Sequence, residues 1–349
     1  MKNIDFSTII KKAWQAYDGG KTIEAIYDVS ANVSTNHVFK VIFQDASQLF
    51  AKLSYYGKFE HFREDHTLIH LLSKNLRPPY ENFLACSLIK NGEVFMYRFC
   101  DEAEILDAWV VFYEPVKIRN KLPRRLEEDH IRQLGSELAH FHKACGEVSE
   151  RLPPSSKTLA TDVEDLLTRL DTEKGRFDYR GHQDQIREQC HRFLQNLDAL
   201  NYADLPQCPV FIDWNIGNFS ITEEGKFFSR WDYDWFRVCS RVMDFYFFSR
   251  VVSDVGDRTV FSYLVDPLME DRFIRFLREY HRVYPLSEAE VRMLGEAYRF
   301  FIINYVIKDG QYFFHEIYAS RLQREAYSLY LPSIEARFDA ETLVRALDL

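Results

Sequence analysis

The segment PVFIDWNIGNFSI, residues 209–221, places an aspartate and an asparagine five positions apart between two hydrophobic runs. Asn215-Ile216-Gly217-Asn218 is good turn chemistry, and residues 210–212 and 219–221 favour strands, so the segment taken alone reads as strand, turn and strand. The same spacing also lets one carboxylate orient and deprotonate a hydroxyl while an amide holds a magnesium ion. Asp213 is therefore the candidate base and Asn218 a candidate metal ligand. Asp232 lies fourteen residues beyond Asn218, after the strand-like KFFSRW, where it could hold the second face of that metal. Asp244 follows twelve residues later. Far upstream, Lys52 in a strand and Glu64 in the next helix have the order of a lysine and glutamate that position the α and β phosphates of a nucleotide.

These residues need elements to position them. IEAIYDV, HVFKVIF and QLFAKLSY are β-rich runs, the last two joined by the polar turn at 44–47. FEHFREDHTLIHLLSKN then changes period, with Glu60, Glu64, Leu68, Leu71 and Asn75 on one helical stripe. That stripe turns Glu64 toward the sheet and makes Glu60 the alternative partner of Lys52. FLACSLIK, the turn Asn91-Gly92, EVFMYRF and AWVVFYEPV complete a small antiparallel sheet carrying one helix. From Leu126 the pattern is mainly helical, with Ile131, Leu134, Leu138 and Phe141 as one apolar stripe. Thr161 with Glu164, and Ser287 with Glu290, have the form of capping boxes. The plan is α+β and bilobal: residues 1–115 form an N-lobe, and residues 116–349 a mainly helical C-lobe with a small β insertion.

At 349 residues, 46% hydrophobic and 15% aromatic, the chain can bury a large core in two lobes with a cleft between them. A net charge of -9 argues against nucleic acid as a partner. The six cysteines stand apart, with no zinc spacing, and read as reduced thiols, mostly buried. The N-terminus lacks a signal-peptide core and FFIINYVI is too short to span a bilayer, so a cytoplasmic protein without a membrane partner is expected. His66 and His70 at i,i+4 lack a third ligand and fit a solvated face. His140 and His142, at a helix end, fit structural hydrogen bonding.

Asp213, Asn218, Asp232 and Asp244 at these steps resemble the aminoglycoside phosphotransferase and choline kinase family of small-molecule kinases, which share the protein-kinase-like fold. The resemblance runs from about residue 30 to about residue 249, with GSELAHFH similar to the family's segment before its insertion. It implies ATP, with GTP possible in its place, and Mg2+ as cofactors. It implies that Lys52, Glu64 and the loop residues Ser34, Thr35 and Asn36 bind phosphates, that Glu114 and Val116 flank the adenine, and that Asn218 and Asp232 hold the metal. Asp244 is expected to anchor the catalytic loop by hydrogen bonds. The chain departs from the family at Phe211 and Asn215, where histidines are usual, and its phosphate loop, SANVSTNHVF, has no glycine.

The activity implied is O-phosphorylation of a small hydroxylated molecule. Trp214, Asp234, Trp235, Tyr312 and Glu316 suggest a cationic acceptor such as an amino alcohol, amino sugar or aminoglycoside, because carboxylates attract cations and aromatic faces bind them. The alternatives are a catalytically silent kinase-like nucleotide-binding or scaffold protein, and a protein kinase. Only eleven residues separate Asp232 from Asp244, with no activation loop in evidence.

Overall fold

Runs of β-branched and aromatic residues in the first third pair as an antiparallel sheet, as their alternation requires. In the computed structural model, which describes residues 5–30, 36–102, 106–254 and 261–349, the strands β1 (Ile23–Asp28), β2 (His37–Phe43), β3 (Gln48–Ser54), β6 (Met96–Asp101) and β7 (Leu106–Tyr113) lie in the order β1-β2-β3-β7-β6. The short hairpin β4 (Ile89–Lys90) and β5 (Glu93–Val94) turns at Asn91 and Gly92, whose φ values are 55° and 86°. Helix α2 (Phe59–Asn75) follows β3.

This lobe carries a second helix that the sequence pattern had not suggested, α1 (Phe6–Tyr17). Asp5 caps it through the Ser7 N–H at 3.0 Å. Its buried face, Ile9, Ile10, Ala13 and Trp14, joins Phe39, Val41, Phe43, Ala51 and Phe112 in a core separate from that of the helical lobe. Fully burying such side chains stabilises the lobe by roughly 1.5–3 kcal/mol for each large one.

The C-lobe is built on α3 (Glu128–Ser149), whose stripe of Ile131, Leu134, Leu138 and Phe141 is buried as expected. Against it packs α8 (Asp271–Val283), and Gly135 permits the approach: a Cβ there would lie 2.4 Å from the Phe276 carbonyl oxygen. Helices α4 (Leu159–Asp171), α5 (Glu173–Asp178) and α6 (Gln183–Ala199) follow α3. The cap of α4 is Thr158 with Thr161, one turn earlier than the expected Thr161 and Glu164, whereas Ser287 and Glu290 do form a capping box.

The β insertion has four short strands, β8 (Gln207–Val210), β9 (Phe219–Ile221), β10 (Phe227–Arg230) and β11 (Arg237–Ser240). The two runs flanking Asp213 do not pair with each other: β8 pairs with β11, and β9 with β10. The chain therefore crosses between two small sheets, and the loop between β8 and β9 stands free to carry side chains.

The rest is helical: α7 (Phe245–Val252), α9 (Glu288–Phe300), α10 (Gly310–Phe313), α11 (Glu316–Glu325), α12 (Leu331–Arg337) and α13 (Ala340–Ala346). Helix α9 runs on through wide π-type turns over Phe301–Lys308. No helix among the described residues is long and apolar enough to cross a membrane.

Candidate active site

The loop that carries Asp213 is held in a conformation it would not choose. Ile212 has φ 61°, a costly value for a β-branched residue, and it persists only because its surroundings fix it. The fixing group is the fully buried Asp244, whose Oδ1 accepts the N–H groups of Phe211 at 2.9 Å and Ile212 at 2.6 Å. Its Oδ2 lies 3.0 Å from His142 Nε2, and His142 Nδ1 lies 2.8 Å from the Tyr280 hydroxyl. Burial keeps the His142 pKa low despite Asp244, so the ring is neutral, donating to Asp244 and accepting from Tyr280. Asp244 thus anchors the loop as its spacing suggested.

Arg230, at the end of β10, also holds the loop. Its Nη2 donates to the Asp213 carbonyl at 2.9 Å, and its guanidinium lies 4.3 Å from the Trp214 ring and 4.6 Å from that of Phe211. Phe211 and Asn215 stand where histidines were expected from the resemblance. Phe211 packs in this core, while Asn215 Nδ2 donates to Asp213 Oδ1. Arg230 was missed from sequence; its only signal is an arginine closing an apolar strand.

Lys52, in β3, reaches the next loop, between β10 and β11, which is tied to the first by the Trp231 N–H on the Asn218 carbonyl at 3.0 Å. Its Nζ lies 3.1 Å from Asp232 Oδ1 and also contacts Asp234 Oδ1. Asn36 Nδ2 donates to the other oxygen of Asp234. Burial opposes the charge on Lys52, but the two aspartates outweigh it and raise its pKa above that of an ordinary lysine. Burial likewise pushes the Asp234 carboxyl up to about 6, while Lys52 holds Asp232 low against the same effect. Asp232 itself has φ 67°, in the left-handed region that aspartate enters more readily than a β-branched residue.

The expected pair of Lys52 with Glu64 is not formed. Glu64 accepts from Ser155 Oγ, Ser156 N and Ser156 Oγ, and the alternative, Glu60, lies 3.8 Å from Arg98. The buried face of α2 is Asp65, His66, Leu68, Ile69 and Leu72, so the stripe drawn through Glu64 is rotated from the true one. His66 is correspondingly not solvated. It is buried, 2.5 Å from the Tyr113 hydroxyl, and burial drives its pKa down to about 3.

The remaining expected residues divide. Ser34 and Thr35 lie outside the described residues. Glu114 is exposed and its N–H donates to the Cys86 carbonyl at 2.9 Å, while Val116 is half-buried beside the helical core. Asp234 and Tyr312 line a cavity of about 490 Å³, and Tyr312 stacks on Tyr56 at 5.1 Å. Glu316 lines a neighbouring cavity of about 950 Å³ that shares Tyr56 as a wall.

Trp214 and Trp235 do not face an acceptor. Trp214 is fully buried, its ring packed on Phe227 at 5.1 Å and Phe248 at 4.8 Å. Trp235 is packed among Tyr305, Phe301 and Phe313, with ring centroids 4.7 to 5.6 Å away. Both rings satisfy the hydrophobic interior at the expense of any ligand.

Asp232 and Asn218 offer a carboxylate and an amide oxygen, hard ligands of the kind Mg2+ takes when phosphate oxygens and waters complete its shell. Asn218 turns its Nδ2 to the Asp213 carbonyl, at 3.4 Å, and so frees its oxygen to face elsewhere. The donor set fits such a metal. Among the described residues no three His, Cys, Asp or Glu side chains group so as to hold a metal by themselves.

No sequence-family model matches the chain, and no curated protein sequence does. Solved structures match along its length. A complex of amicoumacin kinase hAmiN with AMP-PNP, Ca2+ and Ami is 15% identical with a TM-score of 0.60, covering 97% of each chain. A microcompartment-associated aminopropanol kinase is 16% identical with a TM-score of 0.56, covering 95% of this chain and 99% of the other. A macrolide 2'-phosphotransferase type I is 12% identical with a TM-score of 0.55, covering 93% and 99%. The likeness establishes the fold: the chain has the bilobal kinase-like architecture of the small-molecule phosphotransferases.

Proposed function

We propose that the chain is an ATP- and Mg2+-dependent phosphotransferase that phosphorylates a hydroxyl group of a small molecule. The observation that carries the reading is the convergence of Lys52 and Asp232 with the strained, Asp244-anchored loop of Asp213 and Asn218. Neighbours on this fold are by name kinases and phosphotransferases of small molecules, one with bound AMP-PNP and Ca2+, which supports a nucleotide and a divalent metal.

In this reading Asp213 orients the acceptor hydroxyl and takes its proton as the new bond to the γ-phosphorus forms and the bond to the bridging oxygen of ADP breaks. Lys52 neutralises the α and β phosphates, and Asp232 and Asp234 keep it an ammonium until the nucleotide arrives. Ser34, Thr35 and Asn36 cover the phosphates, and residues 114–116, with Glu114 and Val116, flank the adenine, or the guanine if GTP is used. Asn218 and Asp232 hold the metal, which when bound supplies charge neutralisation at the phosphates. Glu64 has no place in this set, since its oxygens are taken by Ser155 and Ser156.

The N-lobe is taken as residues 1–115 and the acceptor lobe as 116–349; the smaller core draws only on the N-lobe, while α2 and the chain through Ala85 pack into the larger one. Six thiols with no disulfide fit a cytoplasmic, reducing setting.

The test is incubation with Mg-ATP and a panel of hydroxylated small molecules, reading an added phosphoryl group by mass spectrometry against Asp213→Asn. Absence of transfer to any member by a wild-type protein that binds Mg-ATP would leave the silent nucleotide-binding reading in its place.

A further inference from the structure

Asp213 is held by different neighbours at different atoms. Asp244 fixes the backbone before it, at Phe211 and Ile212, and Arg230 Nη2 fixes its carbonyl at 2.9 Å. Neither of these bonds reaches its carboxylate. Asn215 does, twice: its N–H donates to Asp213 Oδ1 at 3.2 Å, and its side-chain Nδ2 donates to the same oxygen at 2.5 Å.

The two bonds differ in kind. The first is that of an Asx turn, which any residue at 215 other than proline could donate. It is long, and the last torsion of an aspartate lies in a broad well, so that bond leaves the plane of the carboxylate loosely set. The second is short and runs from a side chain to an ionised acceptor, the stronger class of hydrogen bond. A lysine or arginine at 215 could also grip the carboxylate, but its full charge would favour the ionised form more than a neutral amide does and weaken Asp213 as a base.

We propose that Asn215 is the positioning residue of Asp213, its amide setting the plane in which the carboxylate meets the acceptor hydroxyl. The inference rests on the phosphotransferase reading. It gives the departure at 215 a chemical content, because an imidazole Nδ1–H and an asparagine Nδ2–H sit at nearly the same place on their side chains, so the donor is kept although the residue type is not. A misaimed base slows a reaction even when every group is present.

The experiment compares Asn215→Leu, Asn215→Asp and Asn215→His with wild type in turnover of Mg-ATP and an acceptor found in the panel, and in crystal structures with AMP-PNP and Mg2+. Asn215 is half-buried, so these changes leave the core closed, and thermal melting checks it. Asn215→Leu removes the donor at similar size, and kcat falls by about 10- to 100-fold, the worth of a hydrogen bond to a charged group. Acceptor KM and nucleotide affinity change by less than about 2-fold, since the lost interaction acts on the transition state. Asn215→Asp, which offers only acceptors, falls at least as far. Asn215→His restores the donor and recovers most of the turnover. In the Asp213→Asn background the Leu change costs less than about 2-fold, because no carboxylate is left to aim. A residue that merely stiffened the loop would lower turnover in both backgrounds.

Equal losses in the two backgrounds, a His variant as slow as the Leu variant, or an Asp213 carboxylate that keeps its wild-type orientation in the Asn215→Leu crystal structure overturns the inference. If no compound is phosphorylated, the crystal structures decide: a carboxylate that turns in the Leu and Asp variants and stays in the His variant supports Asn215 as its holder, and the missing transfer counts against the phosphotransferase reading instead.

Discussion

Asp244 gives the sharpest test of how the catalytic loop is held. Its side chain is fully buried and accepts from the Phe211 and Ile212 N–H groups through Oδ1 and from His142 Nε2 through Oδ2. Asp244→Ala strands all three donors. At roughly 1–3 kcal/mol for each buried group left without a partner, the upper bound is near 9 kcal/mol. Relaxation of Ile212 from its φ of 61° returns part of that, about 1–3 kcal/mol.

With each of the three donors at the middle of that range, about 2 kcal/mol, and about 1–3 kcal/mol returned, the expected loss in Asp244→Ala is about 3–5 kcal/mol, with turnover lost even where the protein is still folded. Asp244→Asn is a different perturbation. Its amide oxygen still takes both backbone N–H groups, and its NH2 can donate to His142 Nε2 once the ring proton moves to Nδ1 and is given to the Tyr280 oxygen. That variant should cost about 0.5–1.5 kcal/mol, one hydrogen bond's net worth. Urea denaturation of both variants at constant m-value measures the difference. Equal destabilisation of the two, or a loss under about 1 kcal/mol for Ala, would refute the account of Asp244 as the acceptor that maintains the loop.

Asp213→Asn should lower turnover by about 10²- to 10⁴-fold with nucleotide affinity little changed, as measured by steady-state kinetics beside calorimetry. Asp232→Ala should abolish the Mg2+-dependent part of ATP binding and Lys52→Ala should weaken ATP binding with or without metal, while His70→Ala does neither; calorimetric titration with and without Mg2+ reads all three. The Asp234 carboxyl, pushed up to about 6 by burial, carries more proton in the folded than in the unfolded chain between about pH 4, its ordinary range, and pH 6. The stability of wild type relative to Asp234→Asn should therefore fall as pH rises through that window, which denaturation at several pH values will show. Metal-free ATP affinity of wild type, relative to Asp234→Asn, should rise as pH drops below 6 and the carboxyl releases Lys52. The gain should be roughly 1 kcal/mol or less, because Asp232 still holds Lys52.

The sequence by itself determined the order of groups that chemistry needs. Lys52, Asp213, Asn218, Asp232 and Asp244 stand at spacings set along the chain, and a spacing is all that a loop or turn requires. Short-range physics likewise made β2, β3, α3 and the Ser287 cap legible, because their periodicity and capping act over a few residues. Tertiary structure decided the partners. Lys52 meets Asp232 and Asp234 across 180 and 182 positions, in place of the glutamate on the adjacent helix. Each helical residue turns the face by 100°, and a stripe read through Glu64 was close enough to the true one to mislead, since Asp65 is the buried carboxylate.

Trp214 and Trp235 carry no local sign of which way they point; only the packing of distant rings such as Phe248 and Phe301 made them core. The same holds for β8 and β9, whose strand character is local but whose pairing with β11 and β10 is not. The cavity of about 490 Å³ is the extreme case, because Asp65, Lys157, Asp162, Arg237, Asn304 and Lys308 come from segments that no window of sequence joins. Burial, hydrogen bonding and charge neutralisation act between whichever groups the fold brings together, and that assembly is a property of the whole chain.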